Sequence, residues 1–214
     1  MRKIQFINGG YYHIYNRGVE QRKIFEDEND YLKFLRGLKD FNNKSYYEER
    51  LGRLKELSSF LGKLEKVVEC ITFSFNPNHF HLILKQLTEN GISNFMHKIG
   101  TSFTNYFNKK YGRSGALFQG TYKAVHIDSD EYLLWLSAYV NGNIEIHGIE
   151  KAESYRWSSY RDFLYGKNNE VLGDVSIVLS QFGTPMDYKN FVERVIKESR
   201  IKKEMEKYLL EEIK

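Results

Sequence analysis

Residues Phe75 to Leu84, "FNPNHFHLIL", decide how this chain is built. The segment before the turn, Val67 to Phe75 ("VVECITFSF"), is β-branched and aromatic, and His79 to Lys85 resumes the same pattern after the turn signal Asn76-Pro77-Asn78. The spacing predicts two strands joined as a hairpin. Residues i and i+2 of a strand share a face, so Phe80 and Leu82 point into the core while His79 and His81 project side by side on the other face. Burying an imidazole costs free energy unless its nitrogens are hydrogen-bonded or metal-bound, and two rings at this spacing have chelate geometry. Without a thiolate the pair suits zinc, or magnesium or manganese if the other ligands are oxygens and a phosphate. Two histidines on a wet sheet face is the plain alternative, and a metal site needs a third protein ligand.

Working outward, Tyr11 to Asn16 ("YYHIYN") reads as another strand, closed by a turn at Arg17-Gly18. Tyr31, Phe34, Leu35, Leu38 and Phe41 fall at helical spacing until Asn42-Asn43 stops the helix. Leu51, Leu54, Leu57, Leu61 and Leu64 line a strongly charged amphipathic helix, which reads as an insertion near residues 45–66. The longest amphipathic helix carries Ile92, Phe95, Met96, Ile99, Phe103, Tyr106 and Phe107 and runs into the basic loop Lys109, Lys110, Arg113. A strand near Tyr122 to Ile127 leads to Asp128-Ser-Asp-Glu131, a capping-box signature for a helix carrying Tyr132 to Val140. This order predicts an α+β fold, a small antiparallel sheet with helices packed on one face. Past Gly166 the pattern loosens to two short helices, near Val175 to Leu179 and Asp187 to Lys197, and "KESRIKKEMEKYLLEEIK" alternates charge as a solvated helix does.

Composition narrows the class. With 214 residues, 41% of them hydrophobic, the chain can bury a substantial core. Its single cysteine, Cys70, excludes an intrachain disulfide and a CxxC zinc site and fits a reducing compartment. No run of 18 apolar residues and no signal peptide is visible, so a cytoplasmic protein is expected. A net charge of +4 permits a nucleic-acid partner, and 16 tyrosines and 15 phenylalanines can build a core or give unpaired bases a stacking surface.

Five short motifs, "YHIYNRG", "NPNHFHLIL", "GRSGALFQGTYKAV", "YVNGN" and "YRWSSY", occur in an order that resembles the single-tyrosine transposases of small bacterial insertion sequences, most closely the REP-associated tyrosine transposases. The resemblance spans Tyr11 to Tyr165. It implies a ferredoxin-like or RNA-recognition-motif-like fold, a His-hydrophobe-His metal site and a tyrosine that cuts single-stranded DNA. Residues 1–165 would form the catalytic domain and residues 166–214 a helical C-terminal extension.

Carried over by position, the resemblance makes His79 and His81 the metal pair, Tyr139 the nucleophile and Asn143 the third ligand. The Tyr139–Asn143 interval is i, i+4, which places both side chains on one helix face. Ile144 stands where the family usually has proline, Thr121 where it often has arginine, and Gly142 weakens the last helical turn. Tyr122 is the next candidate nucleophile. Asn16, Arg17, Lys109, Lys110, Arg113, Gln119 and Lys123 are candidate DNA contacts; Asn16 and Arg17 read equally as a turn, Gln119 and Lys123 also as a solvated face, and Trp157 reads as a packing anchor.

The expected cofactor is a divalent ion, Mg2+ or Mn2+. The expected partner is single-stranded or hairpin DNA, bound by a monomer or homodimer. Neither a Gly-rich nucleotide loop nor an acidic DDE-type cluster is visible, which fits a phosphotyrosine reaction without a nucleotide cofactor. Two other classes share these features: a non-catalytic single-stranded nucleic-acid-binding module, and a metal-dependent phosphodiesterase without a covalent intermediate.

Overall fold

The computed structural model describes residues 4–43, 65–166 and 169–211; the leucine stripe Leu51 to Leu64 of the expected insertion lies outside them. Strand β1 (Tyr11–Arg17) is followed by helix α1 (Glu28–Asp40), the hairpin β2 (Val68–Asn76) and β3 (His79–Gln86), helix α2 (Gly91–Lys110) and strand β4 (Lys123–Ile127). The four strands form one antiparallel sheet in the order β2-β3-β1-β4, which is the ferredoxin-like arrangement. Then come α3 (Asp130–Ile146), α4 (Tyr160–Tyr165), α5 (Ser176–Leu179) and α6 (Pro185–Glu211).

The hairpin pairs Asn76 with His79 across the Pro77-Asn78 turn, and alternation then sorts the side chains. Phe73, Phe75, Phe80, Leu82 and Leu84 meet Phe34, Leu38, Phe95, Ile99 and Phe103 of α1 and α2 on one face. Asp30, fully buried, ties the two helices together. It closes a capping box with Asp27 and accepts from Lys110 Nζ (2.7 Å), Tyr106 Oη (3.1 Å) and Tyr111 Oη (2.8 Å).

Part of the opposite face is also covered. There Ile71 and Ile83 pack with Leu136, Val140 and Ile144 of α3, which in turn receives Tyr188, Val192, Val195 and Ile196 of α6. The "YRWSSY" segment follows the outer edge of β2: Phe75 N donates to Trp157 O (3.0 Å) and Ser159 N to Phe73 O (3.0 Å). A buried polar chain then pins both helices, with Ser159 Oγ donating to Asn141 Oδ1 (2.7 Å) and Asn141 Nδ2 to Tyr188 Oη (2.8 Å). Trp157 packs as expected, stacked on Tyr31 with ring centroids 4.6 Å apart. Ser129 caps α3 by accepting from Tyr132 N (3.2 Å). With isoleucine at 144 the helix runs on to Ile146, and Gly142 becomes a close-packing point, since a Cβ there would stand 2.6 Å from Ile196 Cγ1. The C-terminal helix is one continuous element of 27 residues rather than a short helix near Asp187 to Lys197; its first half buries Tyr188, Val192, Val195 and Ile196 along α3, and beyond it Ile201 and Met205 are exposed. Among the described residues no helix is long and apolar enough to cross a membrane.

Candidate functional site

His79 and His81 lie on the face of β3 opposite Phe80 and Leu82, with ring centroids 5.2 Å apart and planes at 89°. Each ring is oriented by a different neighbour. Asn78 Oδ1 accepts from His79 Nδ1 (2.6 Å), which fixes the proton on Nδ1 and leaves Nε2 with its lone pair. Asn143, fully buried on α3, brings Oδ1 to 3.0 Å from that Nε2. Asn76 Nδ2 donates to both atoms, at 2.9 Å to His79 Nε2 and 2.6 Å to Asn143 Oδ1. His81 Nδ1 is 2.8 Å from Nε2 of His13 on β1, so Nε2 of His81 is the nitrogen left for a ligand.

Tyr139 stands one turn before Asn143. Its ring stacks on Trp135 (5.3 Å between centroids, 12° between planes) and meets His81 edge-on at 5.9 Å. Burial raises the Tyr139 hydroxyl above its ordinary value, so at neutral pH it is a phenol. Burial also pushes the imidazoles down: His13 to about 4, His147 to about 4 with help from His79 and Lys203, His79 below its usual value, and His81 well below. All four rings are therefore neutral at pH 7, the form in which imidazole binds a metal.

A cavity of about 640 Å³ opens over the histidines. Asn16, Arg17, Gln119 and Lys123 line it with His79 and His81, and Arg17 Nε donates to Gln119 Oε1. Among the described residues its lining holds three cations, Arg17, Lys123 and Lys203, and no carboxylate.

Lys109, Lys110 and Arg113 stand instead at the far end of α2, and none lines this cavity. Lys110 is paired with Asp27 and Asp30, and Arg113 donates to Asn108 Oδ1 (2.9 Å). Tyr122 and Thr121 face a separate cavity between α2 and the segment 116–122, and Tyr106 and Tyr111 bond Asp30.

The sequence points to none of His13, Trp135, His147 and Lys203 as site residues, and marks Asn76 and Asn78 only as turn formers. His13 is visible in hindsight, since period two puts Tyr11, His13 and Tyr15 on the same face, and Trp135 and His147 lie one turn either side of the Tyr139–Asn143 pair. Lys203 carries no local signal.

Adjacent ligands of a six-coordinate Mg2+ or Mn2+, each about 2.1 Å from the ion and at right angles, stand about 3.0 Å apart. That is the separation of His79 Nε2 and Asn143 Oδ1, two acceptors that converge on one donor, the Asn76 amide. Among the described residues no three His, Cys, Asp or Glu side chains gather as a metal set, so a cation here relies on an amide oxygen and on oxygens from outside the protein. The donor set, nitrogen plus neutral oxygen, fits such an ion.

A sheet that places a histidine pair beside a helix-borne tyrosine defines a class, and the sequence comparison identifies it. Residues 7–143 match the profile of the IS200-like transposases, and the chain belongs to that family. Among solved structures it is similar to a REP-associated tyrosine transposase bound to a REP hairpin, at 15% identity and a TM-score of 0.56, covering 82% of this chain and 92% of that one. A provisionally assigned transposase from Deinococcus radiodurans is also similar, at 13% identity and a TM-score of 0.36, covering 71% and 99%. No curated protein sequence matches.

Proposed function

We propose that this chain is a metal-dependent nuclease and strand transferase for single-stranded DNA, cutting beside a hairpin through a phosphotyrosine at Tyr139. The observation that carries this reading is the meeting of His79 Nε2 and Asn143 Oδ1 at 3.0 Å, one helical turn from Tyr139. His79, His81 and Asn143 would hold Mg2+ or Mn2+, which when bound supplies Lewis-acid polarisation of a phosphate oxygen. Membership of a transposase family and a fold shared with a hairpin-bound relative support DNA hairpins as the substrate class.

The chain's own residues then have separable tasks. Arg17 and Lys123 attract the phosphate backbone into a cavity whose described lining holds no carboxylate. Trp135 and His81 hold the Tyr139 ring from two sides, which limits the hydroxyl to a narrow arc. Tyr139 Oη attacks phosphorus as the bond to the 3' oxygen breaks; the phenol loses its proton and the leaving oxygen gains one. The resulting 5'-phosphotyrosine retains the energy of the phosphodiester, so a free 3' hydroxyl can reverse the step on the same or another strand without ATP.

The test incubates the protein and Tyr139→Phe with a hairpin oligonucleotide labelled on the 5'-phosphate side of its single-stranded flank, in Mn2+ or Mg2+, followed by denaturing electrophoresis. Label migrating with the wild-type protein and absent from Tyr139→Phe is the expected result. Cleavage without an adduct would mark a phosphodiesterase, and binding without cleavage a non-catalytic module.

A further inference from the structure

The family profile ends at residue 143, yet the helix that begins at Pro185 reaches the same cavity. Three contacts set its register on α3. Tyr188, Val192, Val195 and Ile196 are buried against α3, and Gly142 admits Ile196 so closely that no side chain at 142 would leave it in place. Arg200 Nε then donates to Glu145 O (2.9 Å) at the end of α3. One helical turn beyond Ser199, Lys203 arrives over His147, with Nζ 3.0 Å from Nδ1, and the His147 ring lies 4.9 Å from that of His79.

Lys203 thus lines the cavity together with His79, His81, Arg17 and Lys123. Among the described residues no carboxylate stands within ion-pair distance of Lys203 Nζ; its hydrogen-bond partner is the His147 ring. Among the described residues the cavity lining carries three cations, Arg17, Lys123 and Lys203, and no carboxylate; Glu206, whose charge is felt at Tyr139, lies outside that lining. A structural role would be a cation near the α3 C-terminus, but Arg200 already bonds the carbonyl there.

We propose that Lys203 contacts a phosphate of the bound DNA strand beside the cleavage site, so that the C-terminal helix completes the site rather than merely covering the fold. The inference rests on the DNA-cleaving reading above. Lys203 contributes a charge-assisted hydrogen bond to a non-bridging oxygen from the C-terminal helix, while Arg17 and Lys123 reach the same cavity from the sheet.

The experiment compares wild type, Lys203→Ala and Lys203→Arg, using a hairpin oligonucleotide with randomised single-stranded flanks. Dissociation constants are measured across a salt series, and covalent adduct is followed in Mn2+. Loss of one phosphate contact lowers the slope of log K against log salt by about 0.7 to 0.9. It also slows adduct formation about ten- to a hundredfold, the range for one hydrogen bond to a charged group. Lys203→Ala should show both effects at an unchanged melting temperature, and Lys203→Arg should recover the slope. A slope equal to wild type overturns the proposal, as does faster adduct formation, which would make Lys203 an obstruction. Wild type that binds DNA without forming an adduct refutes the nuclease reading and leaves the slope to decide Lys203. Wild type that binds no DNA refutes both.

Discussion

Asn143→Leu separates a metal ligand from a packing residue. The side chain is fully buried, its Oδ1 accepts from Asn76 Nδ2 at 2.6 Å, and its own Nδ2 is a buried donor without a partner among the described residues. Leucine keeps the bulk and suits a helix. Without metal the losses largely cancel: one net hydrogen bond of about 1 kcal/mol goes, but so does an unsatisfied donor that costs about 1–3 kcal/mol. Asn76 Nδ2 retains His79 Nε2 as its acceptor. In EDTA the melting temperature should therefore stay within a few degrees of wild type. With Mn2+ at a hundredfold over its dissociation constant, wild type gains about 2.7 kcal/mol, or about 5–10 °C for a chain of this length. Losing one protein ligand weakens binding at least about tenfold, which removes about 1.4 kcal/mol of that gain. The leucine variant should fall short of the wild-type Mn2+ shift by about 3–5 °C, while Asn143→Asp, with a charged oxygen in the same place, should exceed it. Scanning fluorimetry in EDTA and in graded Mn2+ reads all three. Equal Mn2+ shifts in wild type and Asn143→Leu would refute the placement of the amide oxygen at a metal.

Activity should vanish in excess EDTA and discriminate against blunt duplex, read by cleavage of labelled hairpin and duplex side by side; undiminished cleavage in EDTA would remove the metal from the mechanism. Tyr188→Phe leaves Asn141 Nδ2 unpaired in the seam between α3 and α6 and should cost about 1–3 kcal/mol in urea unfolding; an unchanged midpoint would mean that the seam is already hydrated. His13 is held near 4 in the folded state against 6.5 when unfolded, so the unfolded chain binds the extra proton and stability falls as pH drops from 6.5 towards 4. From pH 7.5 to 5 the loss from this ring is about 2 kcal/mol, and His81, also depressed by burial, adds in the same direction. Urea midpoints in EDTA that stay flat across that range would contradict the buried, neutral pair.

The sequence alone determined whatever depends on spacing within one element. Period two put His79 and His81 on a common face, the Asn76-Pro77-Asn78 turn folded them into a hairpin, and the i, i+4 interval aligned Tyr139 with Asn143. These follow because backbone geometry fixes relative direction over a few residues whatever surrounds them. Which elements face one another is a different matter, decided by burying both sides of the sheet at once. Only that packing brought His13 to His81 across two neighbouring strands and drew Asn76 between His79 and Asn143. It also paired Lys110 with Asp27 and Asp30 and left the basic loop after α2 out of the lining of the histidine cavity, although its charge alone suggested DNA. Lys203 shows the limit most plainly. In sequence it is one lysine in a charged helix, and its place beside His147 exists only because Gly142, 61 positions earlier, lets that helix lie close against α3.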